Sequence, residues 1–230
     1  MDYKSLFKKL VPDFLVGATR PARRYFEAQR RFDRRFGVDT SGILEPGELG
    51  VDVRNIDDAG GYEATPRPVF FRILKSLPIR YERFAFVDLG SGKGAALLYA
   101  SELPFKKVIG VELSPGLHRI AERNIAGYRG ERTRCGDVKS VCADAAAYEL
   151  PPEPTILFLF NPFRGRTLET VAGNIESSLR AQPREAFVIY YHSLARHDAL
   201  DRAAWLGPVR RAGDHTIYRA REGDSWTNFR

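Results

Sequence analysis

The chain predicts an α/β fold: a doubly wound, mostly parallel sheet of seven strands, preceded by a helical extension. Three observations point there. From Phe84 onward, short apolar runs alternate with helix-like segments, the pattern of a parallel sheet covered on both faces. The first run ends in Asp88-Leu89-Gly90-Ser91-Gly92-Lys93-Gly94, a glycine turn that leads straight into a helix. Polar residues then recur at successive strand ends.

The elements follow in order. Residues 2–16 mix apolar and basic side chains and predict a short helix stopped near Pro12. Residues 22–36 predict an amphipathic helix, with Tyr25, Phe26, Phe32 and Phe36 as its apolar stripe and Gly37 as its stop. Residues 38–61 are rich in glycine, aspartate and turn residues and predict a long loop. Thr65-Pro66 opens a helix through about Leu77, with threonine as N-cap and proline at the first position. Strands are predicted at 84–88, 107–112, 139–143, 155–160 and 185–191. Helices are predicted at 93–102, 115–125, 168–181 and near 197–205. Residues 209–211 and 215–220 predict an antiparallel hairpin at one edge. The domain reading is a basic extension over 1–61 and a nucleotide-binding unit over 62–230.

Composition narrows the class. At 43% hydrophobic and 28% charged residues, the 230-residue chain reads as a soluble globular protein. No apolar run approaches the roughly 20 residues that span a bilayer. Lys4, Lys8, Lys9 and Asp13 interrupt the N-terminus and argue against a signal peptide. Cys135 and Cys142, with four histidines and no CxxC, suggest neither a disulfide framework nor a metal site. A reducing cytoplasm is the expected setting. The net charge of +7 is concentrated: residues 1–36 hold ten Lys/Arg against four Asp/Glu. Two readings follow for the arginines of that arm. They form a solvated helix face behind a docked aromatic stripe, or they meet an acidic partner. No RNA-binding or zinc-finger signature supports nucleic acid.

The chemistry lies in register with the strand ends. Asp88, Glu112, Asp144 and Asn161 end four successive predicted strands. In an open parallel sheet, ligands bind outside the carboxyl ends of the strands. Gly90, Gly92 and Gly94 admit positive φ and close approach of a ligand to the backbone. The helix start behind them offers unpaired N–H groups. Asp88 also reads as a cap of that helix, and Asn161-Pro162-Phe163 as a turn ending a buried strand.

Together these residues resemble the class I S-adenosylmethionine-dependent methyltransferases, over about residues 62–220. The resemblance implies S-adenosylmethionine as cofactor. It makes Asp88, Gly90, Ser91, Gly92 and Gly94 the first motif, which holds the methionine part. It implies that Glu112 takes the ribose hydroxyls, and that Asp144 and the Ala145 N–H face the adenine. By the same resemblance Tyr62 and Thr65 close over the carboxylate end. Asn161 and Phe163 resemble the acceptor-side loop of amino-methylating relatives, although the second proline of that motif is missing. This departure disfavours a nucleobase and leaves a protein side chain or a small molecule as the favoured N or O nucleophile. His192, after the fifth strand, is a candidate base. Tyr-x-x-Thr-Pro followed by the glycine turn is similar to bacterial methyltransferases of unassigned substrate and to non-SET lysine methyltransferases.

Two other classes stay open at this point. Gly90 to Ala95 also satisfies G-x-G-x-x-A, with Glu112 near the spacing of a ribose acid, as in an NAD-dependent oxidoreductase. Asp88 would then stand beside a pyrophosphate of like charge. A non-catalytic cofactor-binding module with a basic arm is the other alternative.

Overall fold

A computed structural model describes residues 20–50, 61–130, 132–191 and 198–221. The expected helix over 2–16 and the candidate base His192 lie outside the described residues.

The described chain begins with α1 (Arg20–Phe36). Gly37 ends it at φ +66°, a left-handed stop that a glycine takes without Cβ strain. Two strands too short to carry a periodic signal follow, β1 (Ile43–Leu44) and β2 (Tyr62–Glu63), paired antiparallel. β1 falls in the segment whose composition predicts a loop. Next come α2 (Arg67–Lys75), β3 (Ala85–Leu89), α3 (Ala95–Ser101), β4 (Lys107–Glu112) and α4 (Pro115–Gly127). The chain continues through β5 (Val138–Cys142), β6 (Thr155–Phe160), α5 (Gly165–Ala181), β7 (Ala186–Tyr191) and the short α6 (Asp198–Asp201). β8 (Leu206–Arg211) and β9 (His215–Ala220) close the described chain.

Seven strands form one sheet in the order β5-β4-β3-β6-β7-β9-β8. The first five are parallel, β9 runs antiparallel to β7, and β8 pairs antiparallel with β9 at the edge. The sheet is therefore doubly wound. Its order reverses at β3, which pairs with β4 on one side and β6 on the other.

The period-2 alternation of the strands separates two cores. Phe86, Ile156, Phe158, Phe187 and Ile189 face one cluster together with α2, α3 and α1. Val87, Leu89, Leu157, Leu159 and Val188 face the other, against α5 and the C-terminal segment. α1 belongs to the first cluster: Phe32 is buried and meets Tyr99 edge-on at 5.2 Å between centroids. Gln29 adds a polar tie, donating from Nε2 to the Thr65 carbonyl at 3.0 Å and accepting from the Tyr99 hydroxyl at 3.1 Å. The aromatic stripe thus docks on the body of the protein.

α2 starts one residue later than the sequence predicts. It begins at Arg67, and its N-cap is Pro66 in an extended conformation with no side-chain cap bond. Thr65 is not the cap. Pro66 itself stays extended, at ψ 115°, so the first helical residue is Arg67, and the Thr65 carbonyl is held by Gln29.

Candidate functional site

Leu89 is the last residue of β3, and the chain turns at once. Gly90, Gly92 and Gly94 have φ of +84°, +55° and +81°. Gly90 and Ser91 donate their N–H groups to the Val111 carbonyl at 2.8 and 3.1 Å, which pins the turn to β4. Gly94 caps α3 in the left-handed conformation. These glycines are also contact points. A Cβ on Gly90 would lie 2.4 Å from Pro162 Cβ, so the Asn-Pro-Phe loop rests directly on the glycine turn. A Cβ on Gly92 would lie 2.3 Å from the Tyr62 ring. Tyr62, read from sequence as a closing residue, is placed against the turn and anchored by its hydroxyl, which donates to the Thr40 carbonyl at 2.5 Å.

Asp88 and Glu112 form the electrostatic centre. Both are buried. Burial, and then repulsion from Glu112, raises the Asp88 carboxyl well above its usual range. Asp88 Oδ1 and Ser91 Oγ are buried with no hydrogen-bond partner among the described residues. Glu112 is better supported: Gly92 N–H donates to Oε2 at 2.7 Å and Ser114 N–H to Oε1 at 2.8 Å. Burial nonetheless outweighs these bonds and raises its pKa. Among the described residues neither carboxyl has an ion-pair partner. A buried pair of acids with an orphaned oxygen is a place where a cation is favourable and a phosphate is not.

The remaining strand ends differ in character. Asp144 is exposed, and its Oδ1 accepts the Ala146 N–H at 2.8 Å in an Asx turn, with Ala145 buried beside it. Asn161 follows β6 with φ +46°, the one non-glycine residue at positive φ among the described residues. Such a conformation concentrates at functional loops. The Tyr190 hydroxyl lies 3.1 Å from Asn161 Oδ1 and 3.2 Å from the Phe163 carbonyl, so it is positioned to donate to either. Tyr190 and Tyr191 face opposite sides of the sheet, as strand alternation predicts.

The turn, Tyr62, Glu112 and the Asn161–Phe163 loop are therefore joined by direct contacts. Thr65 is buried with its carbonyl turned to Gln29 of α1, and no hydrogen bond joins it to the turn among the described residues. Sequence reasoning missed the scaffold behind the turn. Lys93 Nζ donates to Asp39 and to the Ser41 carbonyl, and Asn124 donates to the carbonyls of Asp39 and Lys93. Asp33 in turn accepts from the Thr40 and Ser41 N–H groups. These ties tether residues 39–41 to the glycine turn. They are polar pairs between distant segments, for which no short motif exists.

No protein-family model matches the chain, and no curated protein matches it. Solved structures do. A mutant of MtNAS in complex with S-adenosylmethionine is 15% identical, with a TM-score of 0.50 over 67% of this chain and 62% of that one. A predicted N6-adenine-specific DNA methylase from Listeria monocytogenes is 11% identical, with a TM-score of 0.50 over 70% and 52%. The chain has the class I methyltransferase fold. On this methyltransferase fold the glycine turn occupies the switch point of the sheet, beside the carboxyl end of β3.

Proposed function

We propose that the glycine turn binds S-adenosylmethionine and that the protein transfers its methyl group to a nitrogen or oxygen nucleophile. One observation carries the reading: two buried carboxyls, one with an orphaned oxygen, sit under a glycine turn at the switch point. The cofactor fits that chemistry. It is cationic at its amino and sulfonium groups and brings no phosphate to repel Asp88.

The assignments follow from the donor set. Asp88 and Ser91 would meet the methionine part, with Gly90, Gly92 and Gly94 allowing close approach. Glu112 would take the ribose hydroxyls on lone pairs left over from its two backbone donors. Asp144 and the Ala145 N–H would face the adenine, and Tyr62 would wall the turn. When bound, the cofactor supplies an activated methyl, so the protein's main task is in-line positioning of the nucleophile. Asn161 Oδ1 would accept from that nucleophile, and Phe163 would flank it. Catalysis is assigned to residues 62–230, with residues 1–61 as an extension whose helix α1 joins the core. The acceptor is a protein side chain, a small molecule or a nucleobase. The missing second proline after Asn161 weighs against the nucleobase, while a similar solved structure described as an adenine-specific DNA methylase keeps it in range.

The test is calorimetric titration with S-adenosylmethionine, set beside NAD. Saturable binding of the first is expected. Glu112→Ala is expected to weaken it by about 1.5–3 kcal/mol, the scale of charge-assisted hydrogen bonds. A folded protein that ignores S-adenosylmethionine, or prefers NAD, overturns the proposal.

A further inference from the structure

A second concave surface lies away from the glycine turn. It is a groove of about 870 Å³ between α1, the start of α2 and the C-terminal ends of α3 and α4. Glu102 and Tyr128, which line it, cap those two ends. α3 separates Glu102 from Gly94 by seven residues, roughly 10 Å of helix.

The groove is strongly basic. Arg24, Arg31, Arg35, Arg67 and Arg132 line it, and Glu102 is the one acid among the described residues that do. Glu102 is already consumed: Arg67 Nη2 pairs with Oε2 at 2.6 Å and the Tyr128 hydroxyl donates to Oε1 at 2.8 Å. Arg24, Arg31, Arg35 and Arg132 are exposed. Among the described residues, Arg24, Arg31 and Arg132 make no ion pair. Arg24, Ala28, Arg31 and Arg35 follow the i, i+4, i+7, i+11 spacing of one helix face. The three arginines run for about 16 Å along α1. The lining also includes the apolar side chains of Phe36, at the end of α1, and of Pro66, Pro68 and Val69, at the start of α2.

We infer that this groove grips a single-stranded nucleic acid. The arginine row matches a line of phosphates, since planar guanidinium forks bind phosphate oxygens in pairs. The apolar lining accommodates base or sugar faces, the combination used for single strands. An acidic peptide would answer the charge but leave that lining without a flat partner. The chain's own residues 1–19 do not complement it, with three lysines against two aspartates. The aromatic stripe of α1 docks on the core while its arginine row faces the groove, so the docked-helix and acidic-partner readings both apply to α1. The inference does not depend on what the glycine turn binds.

The test is fluorescence anisotropy of a labelled 12-nucleotide oligouridylate on the full chain, at 50 and 200 mM salt. Arg24→Ala, Arg31→Ala and Arg132→Ala are combined in one variant. A second variant, Lys75→Ala with Arg83→Ala and Arg210→Ala, removes the same charge from other exposed positions. The groove variant is expected to bind at least tenfold more weakly. Its log K against log salt should flatten by about two units, since each lost phosphate contact removes roughly 0.7 for single strands. The control variant should match the parent. Equal losses in both variants, or a groove variant with parental melting temperature and parental affinity, overturns the inference. So does oligoglutamate of the same length displacing the oligonucleotide at equal concentration. Calorimetry with S-adenosylmethionine on the groove variant reads the other site separately.

Discussion

Gly92→Ala probes the contact on which the site is built. Two costs are legible in the structure. The residue has φ +55°, and a left-handed conformation costs an L-residue about 1–2 kcal/mol. The new Cβ would also stand 2.3 Å from Tyr62 Cδ2 and 2.4 Å from Cε2. Tyr62 cannot swing aside cheaply, being buried and tied through its hydroxyl to the Thr40 carbonyl. Overpacking of that kind costs about 1–3 kcal/mol. The expected loss is about 2–5 kcal/mol, a fall in melting temperature of roughly 4–20 °C for a chain of this size. Urea denaturation of Gly92→Ala, Tyr62→Ala, the double variant and the parent separates the two costs. Without the ring, Gly92→Ala should cost only the backbone strain, so the cycle should show a coupling of about 1–3 kcal/mol. An identical cost in both backgrounds would refute the ring contact and with it the placement of Tyr62 over the turn.

Asp88→Asn should stabilise the ligand-free protein. An acid whose folded pKa is raised costs nothing below its unfolded pKa, near 3.9, and its penalty grows as pH rises toward the folded value. The advantage of Asn in melting temperature should therefore widen from about pH 4 toward neutrality; a gap that narrows contradicts the burial of that carboxyl. At Asn161, φ is +46°, so Asn161→Gly should be more stable than Asn161→Ala by about 1 kcal/mol. Both lose Oδ1, and both should lose methyl transfer in a labelled-cofactor assay; equal stability of the two would remove the strain argument. Phe32→Ala should cost about 3–5 kcal/mol in urea denaturation, because its ring is shared with Tyr99 and Tyr128. A cost below about 1 kcal/mol would mean that α1 is an appendage.

The order of strands and helices from residue 84 onward is legible in the sequence, because apolar runs and helical periods are local patterns. Strand 107–112 and strand 155–160 match their ladders residue for residue. The glycine turn is legible for the same reason: three glycines within five positions leave few other conformations. β1 and the start of α2 were not, since two-residue strands have no period and the backbone at Thr65 is set by Gln29, thirty-six residues away.

The sequence by itself determined the class of architecture and the switch-point glycine turn, and it offered four polar residues at or near strand ends as candidates around it. Tertiary structure alone decided how those parts touch. Pro162 on Gly90, Tyr62 on Gly92, and Lys93 and Asn124 on residues 39–41 are all contacts between segments far apart in the chain. Local propensity carries no information about such neighbours. They arise only when the two cores close, and burial then sets which acids are strained and which arginines stay exposed.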